Sequence, residues 1–300
     1  MPFNQINSYC YIYESAVNIG YVTDGETGLL IDTGIDSSSV KKVVKELEQR
    51  KLPLTHLFIT HAHADHYGGA AYLQERFQLH TIAPRFEEAI LRNPSLEPLY
   101  LFGGNDPLPE LRNKFLEGPP MRVDEIAEEG MLAIGTLKVQ AIASPGHSYH
   151  QLSLAAYDTL YAADAYFGKE QLHKHRIPYI TDAVKTIQSL EKLMQVKTEG
   201  AVPGHGMYEK EFRKTLQENI DYHLNIMNEV EELVSKHPDG VTHEETVAAV
   251  CRKFEVNGRN LPQWLLFKTA VTAYVTGLIH NKKITHDVSD FKWTFYPVVD

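Results

Sequence analysis

The sequence predicts a layered α/β fold followed by a helical C-terminal segment. Two observations carry this. Short apolar runs alternate with helical patterns through the first two thirds of the chain, which is the signature of strands layered with helices. After Gly206 the pattern turns helical, with Phe212, Leu216, Ile220, Leu224, Met227 and Val230 recurring at three- and four-residue steps. The length, 300 residues, suits one catalytic unit of roughly 200 residues plus a smaller appendage.

Taken in order, Tyr9 to Tyr13 and Gly20 to Thr23 read as strands, with Asp24-Gly25 as a turn. Gly28 to Ile31 is a buried-strand run that stops at Asp32-Thr33-Gly34. Ser37 to Lys51 is helical, with Val40, Val43, Val44 and Leu47 on one face and Asp36, Ser37 or Ser38 as the cap. Leu54 to Thr60 is a further strand, followed by His61-Ala62-His63-Ala64-Asp65-His66, Tyr67-Gly68-Gly69 and a helix to about Phe77. Thr81 to Ala83 is a short strand. Leu137 to Ala143 is a strand that ends in Ser144-Pro145-Gly146-His147. Leu152 to Ala155 and Leu160 to Ala163 form a hairpin whose second arm ends at Asp164. Thr181 to Val196 is an amphipathic helix, and Gly200 to Val202 is a strand ending in Pro203-Gly204-His205. Pro84 to Gly130, rich in Pro and Gly, reads as a long loop of the kind that serves as a lid or a binding element. Thr242 to Glu245 looks like a capped helix start. The expected division is residues 1–208 as the catalytic unit, with 84–130 inserted, and 209–300 as a helical, winged-helix-like subdomain.

Composition excludes several classes. The net charge is −10, with 29 Lys+Arg against 39 Asp+Glu, a poor match to nucleic acid or anionic membrane. Two cysteines, Cys10 and Cys251, make neither a disulfide framework nor a thiolate cage. No secretion signal or membrane-spanning run is evident, so a cytoplasmic protein is expected.

The chemistry sits at the strand ends. His61, His63, Asp65 and His66 share one loop, and His147, Asp164 and His205 each follow another strand. If the strands align, five imidazoles and two carboxylates meet at one edge, a donor set for two divalent cations. His61 and His63, two apart, point the same way and grip one ion. Asp65 and His66, past the bend, face a second, and Asp164 has two oxygens to bridge them. Gly68-Gly69 lets the following helix press close beneath the loop.

This order of motifs over residues 5 to 208 resembles the metallo-β-lactamase superfamily, within it the glyoxalase II-like and β-lactamase-like-2 groups. The resemblance implies a four-layer αββα sandwich. It implies that His61, His63 and His147 hold one metal and Asp65, His66 and His205 the other, with Asp164 between. It implies that Asp32 orients the ligand loop from behind. The expected cofactors are two divalent ions, zinc first, with iron or manganese as alternatives. They would share a water, acidify it to a metal-bound hydroxide, and direct it at an electrophilic carbonyl or phosphorus, with Asp65 as proton acceptor. Tyr166, His150 and Phe102 are the expected substrate contacts.

The expected reaction is hydrolysis of a small-molecule thioester or ester. A zinc β-lactamase is disfavoured because that class carries Cys where Asp164 stands. A lactonase is disfavoured because Phe167 stands where lactonases of this fold place Tyr. Phosphodiesterase or single-strand nuclease activity is an alternative, but 209–300 holds 11 Lys+Arg against 14 Asp+Glu and 84–130 holds 5 against 10, which gives no basic track. A mononuclear-iron persulfide dioxygenase and a non-catalytic metal-containing binding protein complete the alternatives. The apolar C-terminal helices suit a homodimer.

Overall fold

The computed structural model describes residues 3–298. The chain opens with strands β1 (Phe3–Gln5), β2 (Cys10–Tyr13), β3 (Ile19–Thr23) and β4 (Gly28–Ile31), then helix α1 (Ser37–Arg50) and strand β5 (His56–Phe58). Helices α2 (Ala64–Tyr67) and α3 (Ala70–Arg76) lead to β6 (His80–Pro84). The next stretch carries α4 (Glu87–Arg92), α5 (Leu96–Leu101), a 3-10 turn at Pro109–Leu111 and β7 (Glu125–Ala127). Then come β8 (Gly130–Ile134), β9 (Leu137–Ala143), β10 (Leu152–Ala156), β11 (Thr159–Ala163), α6 (Lys169–His175), α7 (Ala183–Met194) and β12 (Gly200–Pro203). The chain finishes with α8 (Phe212–Ser235), β13 (Val241–Thr242), α9 (His243–Lys253), α10 (Leu261–His280), β14 (Ile284–Ser289) and β15 (Lys292–Pro297).

β1 to β7 form one sheet in sequence order, and a second sheet runs β12-β11-β10-β9-β8. Their inner faces meet in a core that includes Ile12, Val22, Leu29 and Phe58 from the first and Val139, Leu154, Tyr161 and Val202 from the second. The outer face of the first sheet packs on α1 and α3 through Val40, Val43, Leu47 and Leu73. The outer face of the second packs on α7 and α8 through Leu190, Leu193, Phe212 and Leu216. This is the αββα sandwich. Sequence dictates it because β2, β3, β4, β10, β11 and β12 are buried on both faces, so each needs apolar cover on either side.

Two expectations change. The 84–130 stretch is not a long loop. It folds into two short helices and a turn, and β7 pairs parallel with β6 at the sheet edge. The C-terminal segment is not purely helical, because β13, β15 and β14 form a third sheet that shares an apolar core with α8, α9 and α10. Among the described residues no helix is long and apolar enough to cross a membrane.

Strand direction positions the site. β4 and β5 are parallel, as are β11 and β12, and β9 runs with β11 because both are antiparallel to β10. The C-terminal ends of these strands therefore meet at one rim of the sandwich. Hydrogen bonds tie the sheets there: Leu152 N–H donates to the Thr60 carbonyl (3.1 Å) and Asn18 N–H to the Gly204 carbonyl (2.8 Å).

Candidate metal centre

All seven expected ligands converge at this rim. Their donor atoms fall into three groups, each within 4.8 Å: His61, His63 and His147; His61, His66 and Asp164; and Asp65, His66 and His205. Asp164 is central. Its oxygens lie 3.2 Å from His66 Nε2, 3.4 Å from His147 Nε2 and 3.3 Å from His205 Nε2. His205 Nε2 is also 3.5 Å from Asp65.

Four of the five imidazoles are aimed by a bond on their other side, while His63 turns its Nδ1 inward, 2.8 Å from His147 Nε2. His66 Nδ1–H donates to Asp32 (2.8 Å), His147 Nδ1–H to the Tyr179 carbonyl (2.9 Å) and His205 Nδ1–H to the Ala16 carbonyl (2.7 Å). His61 Nδ1 lies 3.0 Å from Thr60 Oγ1. These bonds leave the Nε2 atoms facing inward. Asp32, at a positive φ of 63° just past β4, also accepts from Thr60 N–H (2.8 Å) and Thr60 Oγ1 (2.9 Å). One carboxylate thus fixes both the entry to the loop and the His66 ring.

Close backbone approach supports the loop. A Cβ on Gly68 would lie 2.0 Å from the Ile35 carbonyl oxygen, and one on Gly204 would lie 1.8 Å from Asp164 Oδ1. No side chain fits at either place without moving the neighbour.

The donor chemistry fits a pair of divalent ions. His61 Nε2 is buried with no hydrogen-bond partner, and His66 Nε2 and Asp164 Oδ1 meet each other at 3.2 Å outside hydrogen-bond geometry, an arrangement that costs stability unless a cation meets these atoms. Burial holds the His63 and His147 imidazoles neutral, down to about 4, and burial with the neighbouring imidazoles pushes His61 well below its ordinary value. Neutral imidazole is the metal-binding form. Burial works against charge on His205 and on Asp65, but their mutual contact and that of Asp164 or His66 prevail, lifting His205 to about 10 and lowering Asp65 to about 2.

The expected substrate contacts fare differently. Tyr166 does not face the centre. It is buried behind the second sheet among Leu190, Phe212 and Leu216, beside Glu209. Phe167 faces the centre instead, its ring centroid 5.9 Å from His147 and 5.7 Å from His205. His150 lies on the flank, exposed, its ring stacked at 5.5 Å on Phe86. Phe102 packs against Leu101, Leu111, Leu116 and Leu265 and borders a groove of about 810 Å³ shared with Tyr179 and Trp264. His173 and His175 sit on α6, and the His175 ring lies 6.2 Å from His205. His223 is a core residue that bonds Tyr274 (2.8 Å).

The motif pattern gave no sign of Glu87. This residue, 2% exposed, accepts from Ala62 N–H (2.9 Å), Ser148 Oγ (2.8 Å) and His150 N–H (2.9 Å). It ties the loop carrying His61 and His63 to the one carrying His147. Its readable signal is position: Glu87, Ile90 and Leu91 form the buried face of α4, so a carboxylate stands on an apolar stripe. Tyr179 was equally silent, yet its ring packs 5.5 Å from His63 and 5.8 Å from His147.

Residues 12–205 match the metallo-beta-lactamase superfamily. The chain belongs to that superfamily. It is similar to a lactamase-like protein of Pestalotiopsis microspora, 24% identical over 91% of this chain and 69% of that protein. It is also similar to a hydroxyacylglutathione hydrolase of Bradyrhizobium sp. (strain ORS 278), 24% identical over 58% of each chain, so the match spans little more than half of that enzyme. A metallo-beta-lactamase family protein from Thermus thermophilus shares the fold, with a TM-score of 0.74 and 15% identity over 98% of this chain and 100% of that one.

Proposed function

We propose that the protein is a dinuclear metal-dependent hydrolase that cleaves a small-molecule thioester or ester. The observation that carries the reading is the set of three overlapping donor groups around Asp164. Similarity to a hydroxyacylglutathione hydrolase adds support for the thioester. In this reading His61, His63 and His147 would hold one ion, Asp65, His66 and His205 would hold the other, and Asp164 would stand between them. Zinc is the first choice, and iron or manganese suits the same ligands. When bound, the ions supply Lewis acidity and a water acidified toward neutrality.

The chain's own residues do the rest. Asp32 and the carbonyls of Tyr179 and Ala16 keep the imidazoles aimed inward. Asp65 takes the proton from the attacking water. The water oxygen adds to the acyl carbon, the C–S or C–O bond breaks, and the thiol or alcohol leaves with a proton. Phe167, with no hydroxyl, shields the centre but donates nothing to the substrate carbonyl. Residues 1–208 form the catalytic unit in this reading, and 209–300, ending in a helix pair and a hairpin, a winged-helix-like subdomain.

The test is a panel of thioesters, aryl esters, lactones and phosphodiesters run on protein of measured metal content. Hydrolysis of thioesters or esters, lost with chelation, supports the reading. Inactivity on the whole panel with two ions bound sinks it, and one iron per chain with oxygen uptake replaces it by the dioxygenase.

A further inference from the structure

The hydrolase reading leaves the acyl half of the substrate undefined. A cavity of about 470 Å³ opens beside Ala62 and His63, walled by Phe86, Glu87, Ile90, Tyr100, Tyr149 and Thr181. Its size suits a small organic group.

The walls are aromatic. Phe86 and Tyr100 come from the 84–130 segment, and Tyr149 follows His147. The Phe86 and Tyr149 rings lie 5.3 Å apart and are 46% and 59% exposed. Two large rings left open to water beside a metal centre are surfaces for a ligand to cover. Phe86 also adopts φ 73° and ψ −50°, a conformation that side-chain-bearing residues rarely hold, and such departures gather at ligand sites.

The walls also lack positive charge. Among the described residues no Lys or Arg lines the cavity, whereas Glu87 does. A carboxylate seated against these rings would lose its water and meet no Lys or Arg side chain in return.

We propose that this cavity is the acyl pocket and that it selects an uncharged aromatic acyl group while rejecting acyl groups that end in a carboxylate. The proposal rests on the hydrolase reading for its chemistry, but the pocket has its own test. Phenylacetyl, acetyl and succinyl thioesters of one common thiol are compared on the full-length, metal-containing protein. The expected order in kcat/KM is phenylacetyl above acetyl by about tenfold, with succinyl about 100-fold below phenylacetyl, the scale of one desolvated charge. Phe86→Lys should raise the succinyl-to-phenylacetyl ratio about tenfold. The second arm needs no turnover. Saturation-transfer NMR with phenylacetamide should report binding to the native protein and lose it in Ile90→Trp, which fills the cavity.

Equal rates on all three thioesters, or succinyl in the lead, overturn the acyl selectivity while the hydrolase reading stands. Failure on every thioester leaves the hydrolase reading to the ester panel, and phenylacetamide then decides the pocket alone. Binding that Ile90→Trp abolishes supports it, and no binding to the native protein overturns it.

Discussion

Removing the Glu87 carboxylate should loosen the metal centre from a distance. The side chain holds three donors at 2.8–2.9 Å and joins two ligand loops that leave different sheets. A hydrogen bond to a charged group contributes about 1.5–3 kcal/mol, and a buried donor left unpaired costs about 1–3 kcal/mol. Glu87→Ala strands the Ala62 and His150 amides and the Ser148 hydroxyl, so a loss of roughly 3–6 kcal/mol is expected, a large share of a typical 5–15 kcal/mol. Glu87→Gln keeps one acceptor oxygen and turns an amide NH₂ toward the other donors, so it should lose about half as much. Urea denaturation at neutral pH gives the stability change, and the rate of metal extraction by a chelator reports the centre. Both variants should release metal faster than the native protein. If Glu87→Ala stays within about 0.5 kcal/mol of native stability, the ordinary range of a surface substitution, and yields its metal at the native rate, the clamp has no role.

Two further outcomes are expected. Gly204→Ala drives a methyl into Asp164, which a Cβ would approach to 1.8 Å; metal affinity should fall about 10- to 100-fold, the scale of a disturbed ligand support, and equilibrium dialysis checks it. Burial lowers the His223 pKa from 6.5 to about 4. The folded chain therefore refuses a proton that the unfolded chain accepts below 6.5. The stability this group contributes is present above pH 6.5 and is lost as pH falls toward 4, at about 1.4 kcal/mol per unit. Between pH 7 and pH 5 the native protein should lose about 2 kcal/mol more than His223→Leu, and parallel pH profiles of the two would refute the assignment.

The candidate site residues were legible because most of them end or follow an apolar run, and a run buried on both faces leaves its polar terminus nowhere to go but the rim. Asp32, His147, Asp164 and His205 all follow this rule. Tyr166 escaped it for a local reason. The pairing of β11 with β12 shifts register between Tyr161 and Ala163, and Ala163 takes a positive φ of 48°. The alternation that would place successive side chains breaks there, and Phe167 faces the metal ligands. The helices α4 and α5 were hidden by Pro94 and Pro98, which read as breakers although Pro98 lies in the first turn of α5, where a missing N–H costs little. β14 was hidden because all but its first residue is exposed, which leaves no period-two pattern to find. Glu87 lay outside the pattern altogether, since it acts through two backbone amides and the Ser148 hydroxyl rather than as a strand-end ligand.

Metal analysis of the purified protein, native and Asp164→Ala side by side, decides whether Asp164 and its six neighbours hold a pair of ions. The native chain should carry two divalent ions, and the variant should lose at least one together with most of its hydrolysis. A native chain that binds no metal, or an Asp164→Ala protein that keeps both ions and full activity, would overturn the dinuclear centre.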